Sequence, residues 1–136
     1  MDRNKLAELA IEAKKLSYSP YSNFKVGAAL LTKDGKVYKG ANIENAAYGS
    51  SMCAERTALY SAMVNGDKEF EAIAIAGDAE VYTPPCGSCR QVMLELGGKE
   101  LEVILVAPTM ETKTFKLSEL IPFSFEIGRA SCRERV

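Results

Sequence analysis

A three-layer α/β/α domain around a mixed sheet of roughly five strands is the fold this sequence predicts. Three observations predict it. Two short apolar runs, "FEAIAIAG" (70–77) and "LEVILVA" (101–107), each follow a stretch with helical periodicity. An earlier pair of strand-forming runs flanks Asp34-Gly35, a hairpin signal. Strands that alternate with helices pack as layered α/β units, with parallel pairing expected in the second half of the chain. With 136 residues and 47% hydrophobic content, the chain supports one domain with a real core. That domain is assigned to residues 1–126, without linker or internal repeat.

The elements follow in order. Residues 3–16, "RNKLAELAIEAKKL", place Leu6, Leu9, Ala10, Ala13 and Leu16 at helical spacing. "SYSPYS" closes this helix, because Pro20 cannot extend it. "FKVGAALLTKDGKVYKGAN" (24–42) reads as a hairpin whose Asp34-Gly35 supplies the positive φ angles of a two-residue I′ turn. "IENAAYGSS" is a small-residue loop. In "MCAERTALYSAMVNG", Ala54, Ala58, Leu59, Ala62 and Met63 recur at helical spacing, and Gly66 ends the helix. After the strand at 70–77, "VYTPP" leads into the helix "CGSCRQVMLELGG", with Pro84 and Pro85 suited to its first positions and Gly97-Gly98 ending it. The strand at 101–107 and a weak edge strand, "KTFKL", complete the sheet.

A formal charge of -1 argues against non-specific binding to nucleic acid or an anionic membrane, which calls for a basic face. No apolar run approaches the roughly 20 residues that span a bilayer. The charged first 16 residues leave no room for a signal peptide, so a cytoplasmic location is expected. In that compartment thiols stay reduced, and a CxxC pair serves metal binding or catalysis more often than a structural disulfide. The end of the chain, "EIGRASCRERV", differs from the rest: it has no periodicity, and a lone Cys132 sits between arginines. Residues 127–136 resemble a translated sequencing-adapter sequence, or else form a disordered tail, and are set aside.

Cys53 in "MCAER" and Cys86 with Cys89 in "PPCGSC" stand where two helices begin. Helix N-termini stabilise thiolates through unpaired N–H groups and the positive dipole end. Side by side, the two helix starts gather three thiolates, a set that suits one Zn²⁺ per subunit. The chain has no histidine. A structural zinc site is closed by four protein ligands, whereas three leave a position for water. With Cys132 set aside the site is open. Glu55, on the first turn after Cys53, is placed to move protons there without binding the metal, first from water and then to a leaving amine. Three thiolates around a divalent ion leave a net negative charge. Arg56 offsets it by donating hydrogen bonds to sulfur; its bland reading is a solvated helix residue.

Two other readings use the same cysteines. A thiol-disulfide oxidoreductase would use CGSC at a helix start, but leaves Cys53, Glu55 and Arg56 without roles. A non-enzymatic zinc module would need Cys132 as a fourth ligand.

The combination of "YSPYSNFKVGAALLTKDG", "GANIENAAYGSSMCAERTAL" and "PPCGSCRQVMLEL" resembles the zinc-dependent cytidine deaminase family over nearly all of residues 5–125. The general signature of such deaminases is H-x-E…P-C-x-x-C. Here cysteine takes the first ligand position, Cys53-Ala54-Glu55 followed by Pro85-Cys86-Gly87-Ser88-Cys89. That is similar to the small three-cysteine branch acting on free nucleosides. The resemblance implies hydrolytic deamination of cytidine and deoxycytidine and a homotetramer. It implies that Asn42 and Glu44 bind ribose hydroxyls, that Phe24 packs on the pyrimidine, and that the main chain of Ala54 meets the base. It also implies that Tyr48 and Phe125 reach a neighbouring subunit's site. Apart from the resemblance, Phe24 and Phe125 fit core packing, and Asn42 and Glu44 fit turn caps. A deaminase of a modified cytosine nucleoside such as blasticidin S would use the same site.

Overall fold

The computed structural model describes residues 1–126. The adapter or tail reading of 127–136, and Cys132 with it, lies outside the described residues.

Helix α1 (Arg3–Ala13) starts where the Asp2 carboxylate accepts the Asn4 N–H at 3.1 Å. It buries Leu6, Ala7, Ala10 and Ala13. The helix expected to run to residue 16 changes at Lys14–Leu16 into a 3₁₀ turn. That tighter winding takes Leu16 off the apolar face, and it stands 58% exposed.

Strands β1 (Val26–Thr32) and β2 (Val37–Ala41) form the expected hairpin, but not through a two-residue I′ turn. Gly35 has φ 93°, whereas Asp34 is not among the residues with positive φ. The Gly35 N–H instead donates to the Thr32 carbonyl at 3.1 Å, and Thr32 N–H to the Lys36 carbonyl at 2.9 Å. Thr32 Oγ1 receives the Lys36 N–H at 2.9 Å and donates to Asp34. A threonine hydroxyl thus stabilises a longer loop, with only its glycine left-handed.

Helix α2 (Ala54–Val64) ends before Gly66, whose φ is 90°. Strand β3 (Phe70–Gly77), helix α3 (Gly87–Gly97), strand β4 (Glu102–Val106) and edge strand β5 (Thr112–Lys116) follow as expected. A short helix α4 (Leu117–Leu120), absent from the sequence reading, is the last described element. Pro84 and Pro85 precede the helix instead of opening it, because Cys86 is the N-cap of α3.

The sheet order is β2-β1-β3-β4-β5, with β3 and β4 parallel and the other pairs antiparallel. Alternate residues face opposite layers. Ala29, Leu31, Ala72, Ala74, Ile104 and Val106 pack with α1, while Ala28, Leu30, Ile73, Ile75, Val103 and Leu105 pack with α2 and α3. The three-layer α/β/α arrangement follows from that division.

One close approach fixes α2 against the sheet. A Cβ on Gly40 of β2 would lie 2.3 Å from the Ala54 carbonyl oxygen and 2.6 Å from the Ala58 nitrogen. Both obstacles are backbone, so relief requires moving α2. We expect Gly40→Ala to cost about 1–3 kcal/mol in denaturant unfolding and to weaken zinc retention, because Cys53 caps that helix; unchanged values for both would show that the helix is free to shift.

Candidate metal centre

Residues 42–44 link the 17–24 loop to the start of α2. Tyr18 N–H donates to the Asn42 carbonyl at 3.0 Å, and Glu44 N–H to the Tyr18 carbonyl at 2.8 Å. On the other side Ile43 and Met52 exchange hydrogen bonds of 2.9 and 2.8 Å. Met52 is followed by Cys53, the N-cap of α2. Thr57 pins the same helix to β2: its hydroxyl accepts the Ala41 N–H at 3.0 Å and lies 2.8 Å from the Ala54 carbonyl.

Helices α2 and α3 bring the three cysteines together. Cys53 and Cys86 are the N-caps of the two helices, and Cys89 lies in the first turn of α3. Cys53 Sγ is 3.8 Å from Cys86 Sγ, and all three sulfurs lie within 4.8 Å of one another. A tetrahedron with Zn–S bonds of about 2.3 Å has edges of roughly 3.8 Å, so the donor set fits zinc. Electrostatics agree. Cys53 is held well below the ordinary thiol range by its neighbours, Cys89 first and Arg56 after it. The neighbouring Cys53, with burial, pushes Cys89 up. Three neighbouring sulfurs cannot ionise together unaided, and a divalent cation removes that conflict. Cys53 beside Cys86 also leaves the two-cysteine redox reading without an account of the third sulfur.

Glu55 is 4% exposed at the first turn of α2. Burial pushes its carboxyl up to about 7. A carboxyl poised near neutrality accepts and returns protons with little driving force wasted. Arg56 Nη2 donates to Cys53 Sγ at 3.4 Å, and that bond raises an already strong base further. Its Nε is buried without a partner. The solvated-helix reading of Arg56 does not hold. We expect Arg56→Ala to lower turnover by roughly 10–100-fold at full zinc occupancy; unchanged turnover per zinc would remove Arg56 from the account.

The other expected residues divide. Ala54 is buried at the head of α2. Phe24 stands 37% exposed beside Asn42, whose Nδ2 donates to the Phe24 carbonyl at 2.8 Å. Asn42 Oδ1 accepts from Ser17 Oγ and, at 2.9 Å, from Val26 N–H. Glu44 Oε1 accepts the N–H groups of Tyr21 and Ser22, each at 3.1 Å, and Oε2 accepts from Ser22 Oγ. Ser22 holds the Glu44 carboxyl below its ordinary range. Both residues therefore act as the loop caps that their residue types suggest, with Glu44 Oε2 retaining acceptor capacity for a ligand. Ser17 and Ser22 went unnoticed in the sequence, where nothing but a serine-rich loop marks them. Tyr48 and Phe125 are 84% and 58% exposed, and so is Phe123, which the sequence reading missed.

The family model for the cytidine and deoxycytidylate deaminase zinc-binding region matches residues 1–105. A cytidine deaminase of Halalkalibacterium halodurans is 50% identical over 125 residues, which cover 92% of this chain and 95% of that one. The crystal structure of cytidine deaminase from Burkholderia pseudomallei superposes with a TM-score of 0.89 at 49% identity, covering 92% of this chain and all of that one. That of Mycobacterium tuberculosis gives 0.82 at 38% identity, covering 93% and 99%. With its three clustered cysteines and the matching fold, the chain belongs to the zinc-binding cytidine and deoxycytidylate deaminase family.

Proposed function

We propose that the protein deaminates cytidine and deoxycytidine hydrolytically to uridine and deoxyuridine, releasing ammonia, in pyrimidine salvage. The observation that carries this reading is Glu55, a buried carboxyl poised near neutrality against three clustered cysteines. Cys53, Cys86 and Cys89 hold one zinc per subunit, which when bound supplies the Lewis acidity that makes water nucleophilic near neutral pH. Glu55 takes a proton from the attacking water and passes it to the ring nitrogen, then takes the remaining proton of the added hydroxyl and hands it to the departing amine, which leaves as ammonia. Arg56 draws charge from the sulfurs by its hydrogen bond to Cys53. Phe24 packs on the pyrimidine, the main chain of Ala54 contacts the base, and Asn42 and Glu44 hold the ribose. For Asn42, whose side chain is committed to the loop, this role falls to its one remaining N–H.

The working unit in this reading is a cytoplasmic homotetramer without nucleic-acid or membrane partners. Its support is the resemblance, and Tyr48, Phe123 and Phe125 stand exposed, as side chains that meet a neighbouring chain would in a single chain. Tyr48 and Phe125 reach a neighbour's site. Among the described residues no helix is long and apolar enough to cross a membrane. Sedimentation at working concentration is expected to show four chains; a fully active monomer would contradict the shared site.

The function itself is tested by adding cytidine to zinc-loaded protein. The expected result is a fall in ultraviolet absorbance with one ammonia released per nucleoside. Turnover of blasticidin S without turnover of cytidine would move the reading to the modified nucleoside.

A further inference from the structure

The first turns of α3 carry more than two zinc-binding cysteines. Arg90, next to Cys89, spreads its guanidinium between two carbonyls: Nε donates to Pro85 at 2.8 Å, and Nη1 donates to Leu120 at 2.8 Å. Pro85 is buried and immediately precedes Cys86. Leu120 ends α4 and starts the final described segment. The next residue, Gln91, donates from Nε2 to the Phe125 carbonyl at 3.0 Å. Beyond the same helix, Lys99 pairs with Glu126 at 3.2 Å. Residues 120–126 have little regular structure of their own, and Phe123 takes a left-handed φ of 52°. Side chains on and just after α3 therefore set their course.

We propose that Arg90 and Gln91 are positioning residues that lock the C-terminal segment carrying Phe125 to the zinc-binding loop of the same chain. The proposal rests on the reading of Phe125 as an aromatic that completes a neighbour's substrate site. Arg90 acts at both ends of the link, because one planar fork reaches both carbonyls. Gln91 acts at the C-terminal end alone. One helix turn then holds a chain's own metal and, through the segment it grips, sets the aromatic lent to the next chain.

That asymmetry makes the proposal testable by variants that keep the apolar stem and remove the donors. Gln91→Met should raise KM for cytidine by about threefold to tenfold, the effect of one lost hydrogen bond, while zinc release to a chromogenic chelator stays at the wild-type rate. Arg90→Met should raise KM similarly and also speed zinc release by roughly 10-fold or more. Arg90→Lys, which keeps the charge but has no fork, should fall between wild type and Arg90→Met in both measurements. It also keeps the test decisive if Arg90→Met fails to fold. A merely structural role predicts lower thermal stability with KM and zinc release unmoved, or both moved equally by the two residues; either outcome overturns the proposal. Wild-type turnover of cytidine is the control: its absence would sink the function itself, whereas its presence with unshifted variants sinks only the positioning role.

Discussion

Glu55→Gln is expected to abolish nearly all turnover while zinc content and fold stay intact. The amide has the shape of the carboxyl but takes up no proton, and general acid–base help alone is worth about 10²–10⁴-fold per step. Glu55 is asked to serve several such steps, so the loss should reach or exceed the upper figure. The stability effect has the opposite sign. Burial holds the carboxyl near 7 against an ordinary 4.5. Between those values the unfolded chain releases its proton before the folded one does, so the carboxyl costs stability that grows as pH rises from 4.5 towards 7. Glutamine removes that cost. Zinc-free Glu55→Gln should therefore melt at or above the zinc-free wild type at pH 8, and the difference should vanish below about pH 4. Scanning calorimetry at the two pH values, beside an ammonia assay, checks both halves. Near-normal turnover would end the proton-transfer role, and a lower melting temperature at pH 8 would show that the buried carboxylate is compensated by more than these neighbours.

The second large effect is expected at the sulfurs. Replacing Cys53, Cys86 or Cys89 by Ala should remove zinc and turnover together, because two thiolates and water are a much weaker site than three. The fold should survive. Its core packs apolar side chains on both faces of the sheet, and of the three cysteines only Cys89 is buried in it. Stability should nevertheless divide the three. Cys89 is fully buried within that core, whereas Cys86 is exposed at the cap of α3. Cys89→Ala should accordingly lose more stability than Cys86→Ala when both are measured without metal. A redox pair predicts another pattern, with Cys53→Ala harmless. Metal analysis of the three variants distinguishes the two.

Much of this was readable from the residues because each signal was local. Helical spacing located α1, α2 and α3, and apolar runs located β3 and β4, since burial on both faces leaves little else for such runs to be. Cysteine at the start of two helices placed the metal site once the layers were known. What escaped the sequence was set by side chains bonding to distant or unmarked backbone. The Asp34-Gly35 pair looked sufficient for a tight turn, but the Thr32 hydroxyl competes for the same backbone and stabilises a longer one. Asn42 and Glu44 read equally as ligand-binding residues and as caps; their bonds to Ser17, Val26, Tyr21 and Ser22 make them caps first. Nothing in the sequence singles out Arg90, because its partners are main-chain carbonyls up to 30 positions away, and a carbonyl leaves no mark in sequence.

The most direct test of the whole account is ammonia release from cytidine by the chain ended at Glu126, normalised to its zinc content. Cys132 is absent from that chain, so any metal it holds rests on Cys53, Cys86 and Cys89. The account predicts one zinc per chain and turnover proportional to it. A truncated chain that holds almost no zinc, or that holds zinc and releases no ammonia, would contradict an open three-cysteine site served by Glu55.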